Sequence, residues 1–110
     1  MPEVKFFTPK EAAQMLPLVK RIVADILAIG KHIRRQEDAE QLDELFAELE
    51  ALGCSYKDWS FSEGLVDFPA MIHGKEVLLC WKSDEPEIRY YHDLESGFAG
   101  RLPIPEEGFL

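Results

Sequence analysis

Apolar residues recur at Ala12, Met15, Val19, Ile22, Ile26, Ile29 and Ile33. Their steps alternate between three and four, which predicts a helix with a continuous apolar stripe. Leu16, Leu18, Val23 and Leu27 widen that stripe, so this first helix is expected to bury more than one side. Its start is marked by Thr8 as N-cap, Pro9 at the first helical position and Glu11 completing a capping box. Pro17 lacks a backbone donor and is expected to kink the helix or split off its first two turns. Arg34 and Arg35 suit the negative end of the helix dipole. Asp38 reads as the next cap. Leu42, Leu45, Leu49 and Leu52 then form a second stripe with Phe46 beside it, and Gly53 suits the terminating position. The short link and similar lengths predict an antiparallel helical hairpin over residues 8–53.

Beyond Gly53 the period changes to two. The runs Gly64 to Ile72 and Lys75 to Lys82 flank His73-Gly74, a two-residue hairpin signal in which Gly supplies positive φ. Pro69 marks the first of these strands as an edge at that point. Ser83-Asp84-Glu85-Pro86 predicts a second turn and Glu87 to His92 a third strand, while Cys54 to Phe61 offers one more short strand. The last eighteen residues, with three Gly and two Pro, read as a wrapping tail. The expected architecture is therefore α+β: one domain over residues 1–110, with a helical hairpin at 8–53. An antiparallel meander of about three strands at 54–92 and an irregular tail at 93–110 complete it.

The hairpin register pairs Ile72 with Lys75 and so Asp67 with Cys80. Val66, Phe68, Ala70, Ile72, Val77, Leu79 and Trp81 then share an apolar face that should cover the helices. A four-residue second turn pairs Lys82 with Glu87 and places His92 on that same face, opposite to Asp67, Cys80 and Arg89. A single bulge would move His92 to the other side.

Composition narrows the function more by exclusion than by assignment. The chain has 110 residues, 46% apolar and 30% charged, with a formal net charge of −9. That is ordinary globular composition. The acidity disfavours nucleic acid and anionic membrane as partners, since both demand cationic surface. The one basic cluster, Lys31, His32, Arg34 and Arg35, is followed at once by Glu37, Asp38 and Glu40. Two cysteines, Cys54 and Cys80, make no disulfide scaffold and have no metal-ligand spacing. With no signal-peptide core near the N-terminus, a cytoplasmic location is expected.

Several segments together resemble a family designated domain of unknown function 2203: Phe7-Thr8-Pro9-Lys10-Glu11-Ala12, Leu16-Pro17, Gly64-Leu65-Val66-Asp67-Phe68-Pro69-Ala70, Gly74-Lys75-Glu76-Val77-Leu78-Leu79-Cys80-Trp81, Tyr91-His92 and Gly97-Phe98-Ala99-Gly100-Arg101. The family pattern usually has Trp before the His, where this chain has Tyr91. It often has Gly before the acidic residue of the second turn, where this chain has Asp84. The resemblance implies a small intracellular prokaryotic protein and brings with it no catalytic residue, ligand or cofactor.

The candidate chemistry lies in a few polar residues. Asp67 sits in an apolar strand and needs a partner. The bland reading pairs it with Arg89 or Arg101; the sharper one makes it a binding or acid–base group. His92 is read either as a packed strand residue or as a titratable group. Gly97-Phe98-Ala99-Gly100-Arg101 could hold an anion, with the Arg fork taking carboxylate or phosphate, but it also reads as a turn that folds Phe98 onto the sheet. The expected ligand-binding set is Asp67, Trp81, Tyr91, His92, Gly97, Gly100 and Arg101, with Trp81 or Tyr91 as wall. No catalytic residue, metal or cofactor is assigned: a Cys80–His92 nucleophilic pair would lie three rungs apart on opposite faces, and a metal site would need Asp67 and Cys80 to join His92 from the other face with no ligand spacing to support it. Three functions follow. The first is a non-enzymatic binding module, homodimeric through the surplus apolar surface of the first helix, with a small polar pocket. The second is a small enzyme on an anionic metabolite, using His92 or Asp67 as acid–base group and Arg101 as anchor. The third is a structural protein whose polar residues are internal bridges.

Overall fold

A computed structural model describes residues 4–109. Helix α1 spans Pro9–Gly30 and α2 spans Gln36–Leu52. The Thr8 capping box forms as the sequence predicts: Glu11 N donates to Thr8 Oγ1 at 3.2 Å, and Thr8 N to Glu11 Oε1 at 3.0 Å.

Two features of the hairpin bear on expectation. First, α1 is one continuous helix through Pro17, so that of the expected kink or split the split does not occur. Pro17 is exposed, while Ala12 and Leu16 before it and Val19, Ile22, Val23 and Ile26 after it are buried. Burying each large aliphatic side chain is worth about 1.5–3 kcal/mol, and together they outweigh the ~3 kcal/mol of an interior proline. Second, α1 stops at Gly30, not among the arginines. The Phe61 ring packs where a Gly30 Cβ would stand, and Ile33 is exposed rather than part of the stripe. Arg34 and Arg35 thus lie in the link. Asp38 is not the cap but the third residue of α2, accepting from Arg34 N at 3.0 Å and Arg35 N at 3.2 Å. Gly53 ends α2 at φ 98°, as expected.

Among the described residues the sheet has five antiparallel strands in sequence order: β1 (Ser55–Tyr56), β2 (Leu65–Ile72), β3 (Lys75–Lys82), β4 (Tyr90–His92) and β5 (Leu102–Pro103). The β2–β3 register is the predicted one, from Ile72 with Lys75 to Asp67 with Cys80. Its turn has positive φ at both His73 (50°) and Gly74 (78°), the twist that a two-residue hairpin needs. Among the described residues no strand flanks the outer side of β2 at Pro69; the Pro69 carbonyl instead accepts Phe7 N at 2.7 Å.

The tail is more ordered than a wrapping loop. Phe98–Gly100 makes one 3-10 turn, β5 pairs with β4, and Phe109 bridges to Ile72. The core lies between the helices and one sheet face. Trp81, Phe68, Val66 and Leu79 of that face meet Phe7, Val19, Ile26 and Leu49, all nearly inaccessible to solvent. No helix among the described residues is long and apolar enough to cross a membrane.

Candidate functional site

The β3–β4 register decides the site. Leu78 pairs with His92, Leu79 with Tyr91 and Cys80 with Tyr90. That is one residue away from the expected pairing, which would set Tyr90 opposite Leu79. The turn accounts for the difference. Glu85 N donates to Lys82 O at 2.9 Å, and the Glu85 side chain folds back to accept Lys82 N at 2.8 Å. The strand therefore does not resume at Glu87; it begins only at Tyr90. Because strand side chains alternate, one residue of slip exchanges the faces of the whole strand. His92 and Tyr90 stand on the face of Asp67 and Cys80, away from the helices, while Tyr91 turns to the helix side with Leu79 and Phe68.

On that outer face Asp67, Cys80 and His92 converge. His92 Nε2 lies 3.2 Å from Asp67 Oδ1, reaching diagonally across β3. The carboxylate, thiol and imidazole atoms of the three all fall within 4.8 Å of one another. The three residues are buried, Asp67 to 4%, Cys80 to 1% and His92 to 3% exposure. They nonetheless line an open cleft of about 340 Å³, with Leu65, Leu78 and Phe98 as apolar walls and Lys57 and Glu95 as charged members. Burial, and next the charge of Asp67, push the Cys80 thiol up to about 12, with Arg101 acting in the opposite direction. Such a thiol is protonated at neutral pH and a poor nucleophile.

The tautomer of His92 follows from its neighbours. His92 Nδ1 is 2.7 Å from the Asp93 carbonyl, which can only accept, so Nδ1 carries a proton. In a neutral ring Nε2 would then turn a lone pair toward the Asp67 carboxylate at 3.2 Å. Two acceptors at that distance repel, so a proton or another cation must lie between them.

The remaining sequence-predicted residues divide. Gly97 borders the same cleft, whereas Gly100 lies with Tyr91 in a separate depression beside His73 and Leu102. Trp81 is on the helix face, its indole buried and Nε1 donating to Glu85 O at 2.8 Å, so it forms no wall of the cleft. Arg101 is near the cluster but already paired. Its Nη2 donates to Glu85 Oε1 and Oε2 at 2.6 and 2.7 Å and to Cys80 O at 3.3 Å. The guanidinium also stacks on Tyr90 and Phe98, 4.2 and 4.7 Å from their centroids. Asp67 is thus partnered by His92, not by Arg89 or Arg101.

Two residues that shape this region gave no distinctive sequence signal. Glu85 is one acid among several in its turn. Asp58 organises the loop before β2, accepting from Ser60 N and Oγ, Glu63 N and Gly64 N at 2.6–3.2 Å. An Asp-x-Ser pattern is the one local hint of such a turn. Though burial acts to raise its pKa, those bonds prevail and hold the carboxyl down at about 2.

No curated protein matches the chain, and no solved structure does. The family model described as uncharacterized conserved protein (DUF2203) matches residues 29–104, more than half of the length and including every residue of the cleft, and the chain belongs to that family.

Proposed function

We propose that this protein is a non-enzymatic binding module whose cleft over Asp67, Cys80 and His92 takes a small ligand. The observation that carries this reading is a buried Asp67–His92 pair forming the floor of an open, otherwise largely apolar cleft. Ligand sites combine apolar walls with a few fixed polar groups in this way. Lys57 on the rim supplies a cation for a ligand carboxylate or phosphate; Arg101 does not, because Glu85 already neutralises it. The enzymatic alternative loses its anchor for the same reason, and the raised Cys80 thiol argues against nucleophilic chemistry.

The test is a thermal-shift series of small carboxylates and phosphates in the presence of EDTA. A ligand at about 100 times its Kd adds about 2.7 kcal/mol, or roughly 10 °C here. The shift should disappear in His92→Gln. A panel that moves neither protein, or moves both alike, refutes the reading.

The module is further read as a homodimer in a reducing cytoplasm. Leu94 and Phe98 at the cleft are 54% and 43% exposed, and Leu18 on α1 is 44% exposed, which supports a partner surface. Both cysteines are free and buried, which supports the reducing setting. Light scattering should give twice the 12.6 kDa chain mass; a mass of one chain at tens of micromolar, by order of magnitude, rejects the dimer.

A further inference from the structure

Four observations about the cleft floor point to one ligand class. The donor set is mixed: a carboxylate oxygen from β2, a thiol sulfur from β3 and an imidazole nitrogen from β4. Nitrogen and sulfur with one carboxylate suit zinc-like ions and not calcium or magnesium, which take oxygen. The imidazole is also oriented as ligating imidazoles are: Nδ1 is held by a backbone carbonyl, which leaves Nε2 as the coordinating atom and fixes the ring. Nε2 and Asp67 Oδ1 face each other at 3.2 Å, so that both donor atoms point into the same space. In a tetrahedral site with bonds of about 2.0–2.3 Å, neighbouring donor atoms lie about 3.3–3.8 Å apart. The Asp67–His92 pair already stands near that spacing, and the 4.8 Å limit for the three needs at most about 1.5 Å of closure.

We propose that Asp67, Cys80 and His92 form a mononuclear site for a divalent transition-metal ion of the zinc class, with its fourth position opening onto the cleft. This deepens the binding reading given above and rests on it, since the ion would sit on the floor of the same cleft. Charge supports it. A dication with one carboxylate and one thiolate is neutral overall, so the buried cluster leaves no unpaired charge. Entry of the ion displaces two protons, the one between His92 and Asp67 and the one on the Cys80 thiol. The simpler occupant is the proton alone, which makes the cluster a buried ion pair tying β4 to β2.

Cobalt(II) titration of the metal-free full chain separates the two. The site predicts one ion per chain. It also predicts a thiolate-to-cobalt charge-transfer band in the near ultraviolet with visible bands of tetrahedral intensity, all bleached by zinc. Cys54→Ser should keep the band. Cys80→Ser and His92→Gln should lose it, with affinity reduced at least about 100-fold, and Asp67→Asn should lose about 10- to 100-fold. Absence of the band in the unsubstituted chain overturns the proposal, as does a band that survives Cys80→Ser or is lost in Cys54→Ser. Because the chain has two cysteines, the band in Cys54→Ser assigns the ligand even if a Cys80 variant fails to fold. A small-molecule shift that persists in EDTA without any cobalt band overturns the metal site and leaves the binding cleft standing. Absence of both overturns both.

Discussion

Replacing Arg101 with Ala should lower stability far more than loss of an ordinary surface charge. The Arg101 side chain is 11% exposed and that of its Glu85 partner 18%. One nitrogen reaches both carboxylate oxygens and the Cys80 carbonyl, and the plane lies on two aromatic rings. Charge-assisted hydrogen bonds of this type contribute about 1.5–3 kcal/mol, and the cation–π contacts about 0.5–2 kcal/mol. Glu85 keeps its bond from Lys82 N and some access to water after the change, which lowers the sum. A loss of about 2–4 kcal/mol is expected. Unfolding entropy near 2.1 cal/mol/K per residue makes 1 kcal/mol worth roughly 4 °C in a chain of this length, so Tm should fall by roughly 8–16 °C.

Thermal melts followed by far-ultraviolet circular dichroism measure this directly. Arg101→Lys keeps the charge but not the fork or the stacking, and should recover less than half of the loss. Glu85→Gln combined with Arg101→Ala should cost much less than the two single losses added. Since the pair is shielded, the effect should survive high salt, where an exposed pair would fade. A fall in Tm below about 2 °C, the size of a surface ion pair, would mean that strand pairing alone holds the tail and that the clamp contributes nothing.

Two other perturbations test the fold around the site. Asp58→Asn should destabilise by about 1–3 kcal/mol at neutral pH, through the charge-assisted bonds to Ser60, Glu63 and Gly64. Its folded pKa, about 2, lies below the ordinary aspartate value of 3.8, so this contribution is complete above pH 4 and is lost as pH falls from there toward 2. Urea melts of the two proteins should converge across that window; a constant gap down to pH 2 would refute the assignment. Pro17→Ala restores the missing N–H donor toward the Ala13 carbonyl in an exposed, unbroken stretch of α1 and should raise stability by about 1–3 kcal/mol. A lower Tm would show that the ring makes a contact the helix depends on.

Much of the fold was legible because its signals are local. The Thr8 capping box, the alternating stripe of α1, Gly53 and the His73-Gly74 turn each fix structure within a few residues. Pro69 marked the open edge of β2 correctly for the same reason. What was not legible depends on distant partners. Pro17 carries a local penalty, but buried residues on both sides of it keep the helix continuous through that point. Leu102 and Pro103 read as loop because their strand pairing is with Tyr91 and Tyr90, more than ten residues earlier. Asp58 and Glu85 acquire their roles only once the backbone groups they bind are in place.

The cleft shows this dependence most sharply. Its three polar residues come from three strands with no ligand spacing between them, so no motif could announce them. Asp67 and Cys80 were placed together by the short hairpin. Whether His92 joins them depends on the parity of the connection Ser83–Arg89, and a single residue of slip decides the face. Glu85 sets that parity: its backbone and carboxylate both bond Lys82, closing the turn early. The same carboxylate holds Arg101, whose guanidinium lies on Tyr90, the first residue of β4 and the partner of Cys80. Arg101 thus touches neither Asp67 nor His92 in any observed hydrogen bond, yet it fastens the turn and strand that bring His92 to Asp67. It positions the site rather than serving as its anion anchor, which is why Arg101→Ala should first be read as a stability measurement.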